Sequence, residues 1–177
     1  KINFQKAIDQ RVSLLESLPL EKIYTLNNKI KLTSGSQELV SCMNYFNAVT
    51  VLVSGGFIPT IKYVANKLNF KFFHGNEFIY KKNFHGEKVL SGLVKKPILD
   101  QNSKLKILLN YKKKLKLSSD DIICVGDGSN DLKMIKEAGT GVSFNGKKIL
   151  EQNSDAVFNY TNLTGLLFLQ GYKESEI

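Results

Sequence analysis

The chain has 177 residues, of which 42% are hydrophobic and 23% are charged. This length is sufficient to bury the core of a single domain, and this composition excludes an intrinsically disordered protein. The two cysteines, Cys42 and Cys124, exclude a disulfide framework and a C-x-x-C metal site, and they favour the reducing cytoplasm. No apolar run reaches the length that crosses a bilayer, so we expect no membrane association.

The net charge of +9 raises the question of nucleic-acid binding. Of the 25 basic residues, 24 are lysine and one is arginine, at position 11. Proteins that bind a phosphate backbone usually use arginine as well, because its planar guanidinium forms two parallel hydrogen bonds with phosphate. The densest cluster, at 112–116, falls on a predicted helix and is typical of a solvated helix face. We therefore predict no nucleic-acid partner.

The N-terminal part of the chain predicts three helices before the first strand. Residues 3–16 carry apolar side chains at helical spacing, and the S-L-P that follows ends this helix. Residues 20–30 predict a second helix and residues 36–46 a third. The pattern then changes to A-V-T-V-L-V at 48–53, which indicates a strand buried on both faces of a parallel sheet.

From that strand onwards, the pattern alternates between helix and strand. It predicts helix 58–68, strand 70–75, a β-hairpin within 76–96, helix 102–116, a strand at 121–126, helix 130–138, a strand, helix 146–152, a strand and a last helix near 161–169. Such alternation is typical of βαβ units, so we predict an α/β fold with a doubly wound parallel sheet. Residues 1–32 stand outside the alternation and predict a small, partial helical cap, with 33–177 as the core domain.

The segment V-L-V-S-G-G-F at 51–57 ends the first predicted strand with residues that could bind an anion. The Ser54 hydroxyl and the N–H groups of Gly55 and Gly56 would face that anion at the N-terminus of the next helix. The same residues also suit a tight strand-to-helix turn with a capping serine. This segment alone does not decide between the two interpretations.

The segment V-G-D-G-S-N-D at 125–131 brings two carboxylates, Asp127 and Asp131, to the end of a later strand. Two like charges this close are unfavourable unless a cation compensates them. Mg²⁺ favours few carboxylates together with waters and phosphate oxygens, which matches this loop. The alternative is an Asx-turn in which Asn130 or Asp131 caps the next helix, although two acids and two glycines exceed what a cap requires.

The segment D-Q-N-S-K at 100–104 places Lys104 in the first turn of a predicted helix. A lysine there opposes the helix dipole, and in most proteins it is a surface residue. A phosphate site that also holds a metal needs a further fixed cation, however. Lys104 lies between the other two motifs in chain order and could supply that charge.

Together, S-G-G-F, N-S-K and G-D-G-S-N-D resemble the second, third and fourth motifs of the haloacid dehalogenase (HAD) superfamily. The segment F-x-x-A-I-x-x-R-V-S-L-L-x-x-L-P at 4–19 resembles the cap helix of the phosphoserine phosphatase family within it, and the resemblance covers essentially the whole chain. It implies a HAD-like, Rossmann-like core and Mg²⁺ as the cofactor. It also implies hydrolysis of the small molecule O-phospho-L-serine to L-serine and phosphate through an aspartyl-phosphate, and it is compatible with a homodimer.

The resemblance also implies a role for each matching residue of the core. Ser54 and Gly55 would hold the phosphoryl oxygens, and Lys104 would neutralise the phosphate and the acyl-phosphate intermediate. Asp127 would ligate Mg²⁺, and Asp131 would support the metal site directly or through another ligand.

Three further roles follow from the same resemblance. Asn130 would donate a hydrogen bond to the phosphate or the substrate, and Phe4 of the cap would form a wall of the pocket. Arg11 would bind the substrate carboxylate. Composition supports that role, because the chain uses lysine at all other basic positions and keeps arginine where two parallel hydrogen bonds to a carboxylate are expected.

The first motif of the superfamily, D-x-D-x-T, which carries the nucleophile and the general acid, has no match in this sequence. The resemblance places its strand in the middle of the sheet, between the strands at 48–53 and 121–126. We therefore expect these residues to lack the first central strand, and a protein made of them alone to be poorly soluble and inactive. The alternatives are a HAD phosphatase or phosphotransferase that acts on another small phosphomonoester, such as phosphohomoserine, and a non-catalytic binding module.

Overall fold

The computed structural model describes residues 4–176 of the chain, which form an α/β structure as predicted. The chain divides into two compact units. The first unit comprises the chain up to Ile98 together with the segment that begins at Leu166, and the second unit is Leu99–Gly165. The boundary predicted between residues 32 and 33 falls inside the first unit and remains a prediction. No helix within the described residues is both long enough and apolar enough to span a membrane.

The first unit begins with three helices and continues with a strand, a helix and three further strands. In chain order these are α1 (Phe4–Ser13), α2 (Leu20–Asn27), α3 (Ser36–Tyr45), β1 (Val51–Phe57), α4 (Ile58–Leu68), β2 (Phe72–Asn76), β3 (Phe78–Lys82) and β4 (Lys88–Val94). This order confirms the helices, strands and hairpin expected for this part of the chain. Pro59 lies in the first turn of α4, where the missing N–H of proline carries no cost.

Strand β1 is parallel to β2, with Val51 opposite Phe72, as expected for a strand–helix–strand unit. The strand predicted at 48–53 lies three to four residues too early, because the S-G-G segment remains extended and continues β1 to Phe57. The register between the two strands shifts between Val53 and Phe57. All residues of β1 are half-buried, not fully buried as predicted.

Helix α1 is packed on the β-hairpin formed by β3 and β4. Its buried residues Ile8 and Val12 join the hairpin residues Phe78 and Leu90 in one hydrophobic cluster. Leu90 also exchanges backbone hydrogen bonds with the chain after α1, donating to the Leu18 carbonyl and accepting from the Ser17 N–H, both at 2.9 Å. Helix and hairpin therefore share one core.

Helix α1 ends earlier than predicted. Its last residue is Ser13, and the chain then forms a turn in which Ser17 has a positive φ of 65°. Leu15, which the helical spacing placed on the apolar face, is exposed as a consequence. The predicted first helical residue, Asn3, lies outside the described residues.

The second unit is a parallel three-stranded sheet with helices between its strands. In chain order its elements are α5 (Gln101–Leu115), β5 (Ile123–Gly126), α6 (Leu132–Glu137), β6 (Thr140–Phe144), α7 (Lys148–Glu151) and β7 (Ala156–Phe158), and α8 (Gly165–Leu169) begins at its last residue. Strand β6 is central, with Val142 opposite Val125 on one side and Ala156 on the other. The predicted helix 130–138 begins later, at Leu132, because a 3₁₀ turn at Ser129–Asp131 precedes it.

Candidate functional site

Ser54 lies in the middle of β1 and takes part in a local hydrogen bond. Its Oγ accepts the backbone N–H of Gly56 at 3.0 Å. The residue at the N-cap of α4 is Phe57, and no side chain caps this helix. Ser54 is therefore not the capping serine of the alternative interpretation. Because its oxygen already accepts a bond from Gly56, its own proton is available to donate elsewhere.

Phe4 of α1 lies close to the same segment. A methyl group built on the Cα of Gly55 would lie 3.8 Å from Phe4 Cζ. Phe4 and Gly55, which are 51 positions apart in the sequence and which the resemblance assigned to one pocket, therefore lie near each other.

Arg11 lies seven residues after Phe4 on the same helix. Residues with this spacing share one helix face, at separations of about 10 Å along the axis. The Arg11 side chain is exposed, and it has no ion-pair or hydrogen-bond partner among residues 4–176. A guanidinium without an intramolecular partner is free to bind an anionic ligand.

Asn76 also donates a hydrogen bond to this segment, and the sequence pattern did not identify it as a candidate site residue. It is 2% exposed, and its side-chain Nδ2 donates to the Gly55 carbonyl oxygen at 2.8 Å. The signal in the sequence is weak, because one asparagine among 16 at the end of a predicted strand does not stand out.

In the second unit, Lys104 and Asp131 form a buried ion pair. Lys104 Nζ lies 2.5 Å from Asp131 Oδ1, and the two residues are 5% and 3% exposed. Lys104 is therefore not the solvated surface lysine that its position in a helix's first turn suggested. Charged groups this deeply buried are stable only when paired.

Asp131 also organises the loop that follows β5. Its Oδ2 accepts the N–H of Gly128 at 3.1 Å and that of Asp127 at 3.3 Å. Gly126 makes room for this carboxylate, since a Cβ built there would lie 2.5 Å from the Asp131 Cβ. Both oxygens of Asp131 are thus occupied, and its position is fixed by the lysine and by the loop backbone.

The carboxylate of Asp127 and the side chain of Asn130 differ from Asp131 in this respect. Neither has a hydrogen-bond or ion-pair partner within the described part of the chain. Asp127 is exposed and Asn130 is half-buried. Both side chains are available to a ligand, whereas Asp131 supports the loop that carries them.

Two further contacts tie the start of α5 to the same loop. Gln101 Nε2 donates to the Ser129 carbonyl at 3.0 Å, and Lys133 Nζ donates to Asn102 Oδ1 at 2.6 Å. Asp100 caps α5 by accepting the Ser103 N–H at 2.9 Å, and this bond holds the pKa of Asp100 below its usual range. The helix that carries Lys104 is therefore held at its first turn.

Cys124 lies on β5, next to this loop, and it is buried. Burial, with a smaller contribution from the negative charge of Asp131, raises the pKa of its thiol to about 12. The thiol therefore stays protonated at neutral pH, and it is not a nucleophile or a metal ligand there.

Asp127 is the residue best suited to bind a divalent cation. Within residues 4–176 there is no group of three or more His, Cys, Asp or Glu side chains that could hold a metal ion. Mg²⁺ does not need such a group, because it is usually bound by one or two carboxylates, several waters and phosphate oxygens. An exposed carboxylate without a protein partner fits one position of that shell.

The chain is similar in sequence to known phosphatases. Residues 98–168 match the model of the haloacid dehalogenase-like hydrolase family. A probable phosphoserine phosphatase of Schizosaccharomyces pombe is 33% identical over 99% of this chain and 58% of its own length. The phosphoserine phosphatase of Methanocaldococcus jannaschii is 32% identical over 94% of this chain and 77% of its own length.

The same relationship is found among solved structures. The phospho-aspartyl intermediate analogue of a phosphoserine phosphatase superimposes with a TM-score of 0.85 at 32% identity, over 96% of this chain and 78% of that one. The chain thus spans between about half and three quarters of the length of the relatives it matches.

Proposed function

The chain belongs to the phosphoserine phosphatase family of HAD-like hydrolases, and from this premise we propose that the protein hydrolyses O-phospho-L-serine to L-serine and phosphate. The observation that carries the substrate assignment is the proximity of the Phe4 ring to Gly55. It supports a pocket in which the helix that bears Arg11, the only arginine of the sequence, lies near the segment that bears Ser54.

In the first unit, the substrate would be held at both of its charged ends. The Ser54 hydroxyl and the Gly55 N–H would donate to phosphoryl oxygens, while Arg11 would bind the carboxylate through two parallel hydrogen bonds. The exposed ring of Phe4 would cover the apolar part of the substrate and exclude water.

In the second unit, the ammonium group of Lys104, held in place by Asp131, would supply a fixed positive charge. One of the three Lys104 N–H donors is committed to Asp131, and the other two would offset negative charge on the phosphoryl group and on the acyl phosphate. Asp127 would ligate Mg²⁺, which when bound would neutralise charge on the phosphoryl oxygens. Asp131 would keep the loop in place through its two backbone bonds. Asn130 would donate to the phosphate or the substrate.

The covalent step requires an aspartate nucleophile and a general acid. The carboxylate attacks phosphorus and forms an aspartyl-phosphate, the acid protonates the departing serine oxygen, and water then releases phosphate. The 177 residues contain no D-x-D-x-T motif to supply these two groups. Activity therefore has to be measured on the complete product of the gene.

Replacing Arg11 tests the proposed substrate. In Arg11→Lys, a point charge replaces the planar guanidinium, so we expect kcat/KM for phosphoserine to fall by at least tenfold, about 1.4 kcal/mol. Hydrolysis of an aryl phosphate, which has no carboxylate, should change much less. Lys6→Gln is the matched control, because it removes another exposed basic group from the same helix.

Two outcomes would contradict the proposal. Equal losses on both substrates would remove the carboxylate-binding role of Arg11 and would favour another small phosphomonoester as the substrate. Loss of phosphoserine hydrolysis in Lys6→Gln to the same extent as in Arg11→Lys would show that the effect is not specific to the Arg11 guanidinium.

A further inference from the structure

Asn76 is a buried polar residue to which the proposed mechanism assigns no role. It is the last residue of β2, and it lies opposite Phe57 in the parallel pair that β2 forms with β1. Gly75 allows this approach, because a Cβ built there would lie 2.1 Å from Ile61 Cδ1 and 3.2 Å from the Gly56 carbonyl oxygen. The end of β2 is thus held close to the S-G-G segment.

The Asn76 side chain holds one end of a single peptide group. Its Nδ2 donates to the Gly55 carbonyl oxygen at 2.8 Å, and only the nitrogen end of the amide can face that acceptor. The N–H of the same peptide group belongs to Gly56, and it donates to Ser54 Oγ at 3.0 Å. The two bonds therefore fix the peptide plane between Gly55 and Gly56 at both ends.

This chain of hydrogen bonds has a direction. It runs from the Asn76 amide through the Gly55–Gly56 peptide to the Ser54 oxygen, and each bond polarises the next. Because Ser54 Oγ accepts from Gly56, its hydroxyl proton points away from that N–H, and it can donate to a ligand on another side.

We infer that Asn76 is a positioning residue, which acts through the Gly55–Gly56 peptide to orient the Ser54 hydroxyl as a donor to the phosphoryl group. The inference rests on the proposed function for the identity of the ligand. The orientation of the peptide itself does not depend on that function, so the two can be tested separately.

The first test measures the peptide directly, by hydrogen exchange of the Gly56 amide in the ¹⁵N-labelled complete protein. Asn76→Ser removes the donor to Gly55, and we expect the Gly56 amide to exchange about three to ten times faster, as for the loss of one neutral hydrogen bond. Asn27→Ser is the matched control. Asn27 is also an asparagine, 3% exposed, whose Nδ2 donates to a backbone carbonyl, that of Pro59 at 3.2 Å.

The control separates orientation from stability, because both variants lose a buried hydrogen bond from an asparagine amide to a backbone carbonyl. Faster exchange at Gly56 in Asn76→Ser but not in Asn27→Ser would support the inference. Equal exchange at Gly56 in the two variants would overturn it.

The second test is a double-mutant cycle on phosphoserine hydrolysis. We expect Asn76→Ser to lower kcat/KM about three- to tenfold when Ser54 is present, and less than twofold in the Ser54→Ala background. Losses of equal size in both backgrounds would show that Asn76 does not act through Ser54. A complete protein that does not hydrolyse phosphoserine would remove the proposed function, and the Gly56 exchange would still decide the role of Asn76.

A second variant keeps the test decisive if Asn76→Ser does not fold. Asn76→Asp preserves the shape of the side chain, and its carboxyl group can donate to the Gly55 carbonyl only while it is protonated. The kcat/KM of Asn76→Asp relative to the unsubstituted protein should therefore fall as the pH rises. A ratio that is independent of pH would contradict an orienting role.

Discussion

The buried pair of Lys104 and Asp131 gives the sharpest prediction about the second unit. Replacing Lys104 with Met keeps an unbranched, apolar side chain of nearly the same length and removes the ammonium group, with its charge and its hydrogen-bond donors. The Asp131 carboxylate would then remain buried with the N–H groups of Gly128 and Asp127 as its only partners among those the structure shows. The Asp131 carboxylate would then accept two hydrogen bonds instead of three.

The size of the effect follows from this geometry. Removing one partner of a buried ion pair typically costs 3–5 kcal/mol, because an uncompensated charge stays in the protein. Since two backbone N–H groups still donate to Asp131, we expect the lower end of this range, a loss of about 3 kcal/mol in the unfolding free energy. The exposed pair of Lys95 and Glu77 provides the control, and Lys95→Met should cost about 1 kcal/mol or less.

Urea denaturation of the complete protein, followed by circular dichroism, measures both variants. Adding Asp131→Asn to Lys104→Met removes the unpaired charge and should recover part of the lost stability. The reasoning would be refuted if Lys104→Met cost no more than Lys95→Met, or if the double variant were less stable by the sum of the two single losses.

Three other changes test separate features. Asp127→Asn should abolish Mg²⁺-dependent turnover together with stabilisation by Mg²⁺ in a thermal melt, and near-normal turnover at low Mg²⁺ would show that Asp127 is not a ligand. Asp100→Ala should cost about 1 kcal/mol at pH 7. The folded pKa of Asp100 lies below its ordinary value of 3.8, so its contribution to the unfolding free energy is present above about pH 4 and is lost as the pH falls through the folded pKa. The unfolding free energies measured by urea at pH 7 and at low pH should therefore differ less in Asp100→Ala than in the unsubstituted protein. Ser143 is fully buried, and its hydroxyl has no partner among the residues described. Ser143→Ala should therefore raise the unfolding free energy by about 1 kcal/mol. A clear decrease of the unfolding free energy in the same urea assay would contradict this.

Much of the fold can be predicted from the sequence because apolar periodicity reflects burial. The alternation of strands and helices after residue 48 and the hairpin within 76–96 are both found in the structure. The errors lie at the ends of elements. The S-G-G segment was expected to end a strand, but it stays extended within β1, and the register with β2 shifts across it. Phe57 pairs again with Asn76 of β2, so backbone pairing on both sides of the segment outweighs the turn propensity of glycine.

The candidate site was predicted less completely, since tertiary contacts decide it. The charge of Lys104 was noticed, but its burial depends on Asp131, which lies 27 residues later and enters only through the fold. Asn76 was missed because its role depends on a hydrogen bond to a backbone carbonyl, and a carbonyl has no signature in a sequence. Arg11 was proposed from the resemblance of the cap helix, and its rarity in the composition supports that role, which stays a prediction.

The tip of the β-hairpin offers a place to attach a reporter. Phe84 is fully exposed there, next to the reverse turn in which the Gly86 N–H donates to the Asn83 carbonyl. The hairpin shares a core and backbone hydrogen bonds with α1 and the turn after it, so a fluorophore at position 84 would be coupled to the helix that carries Arg11. Its emission anisotropy or its energy transfer to a second dye would then follow that helix without any change to the residues proposed to bind substrate.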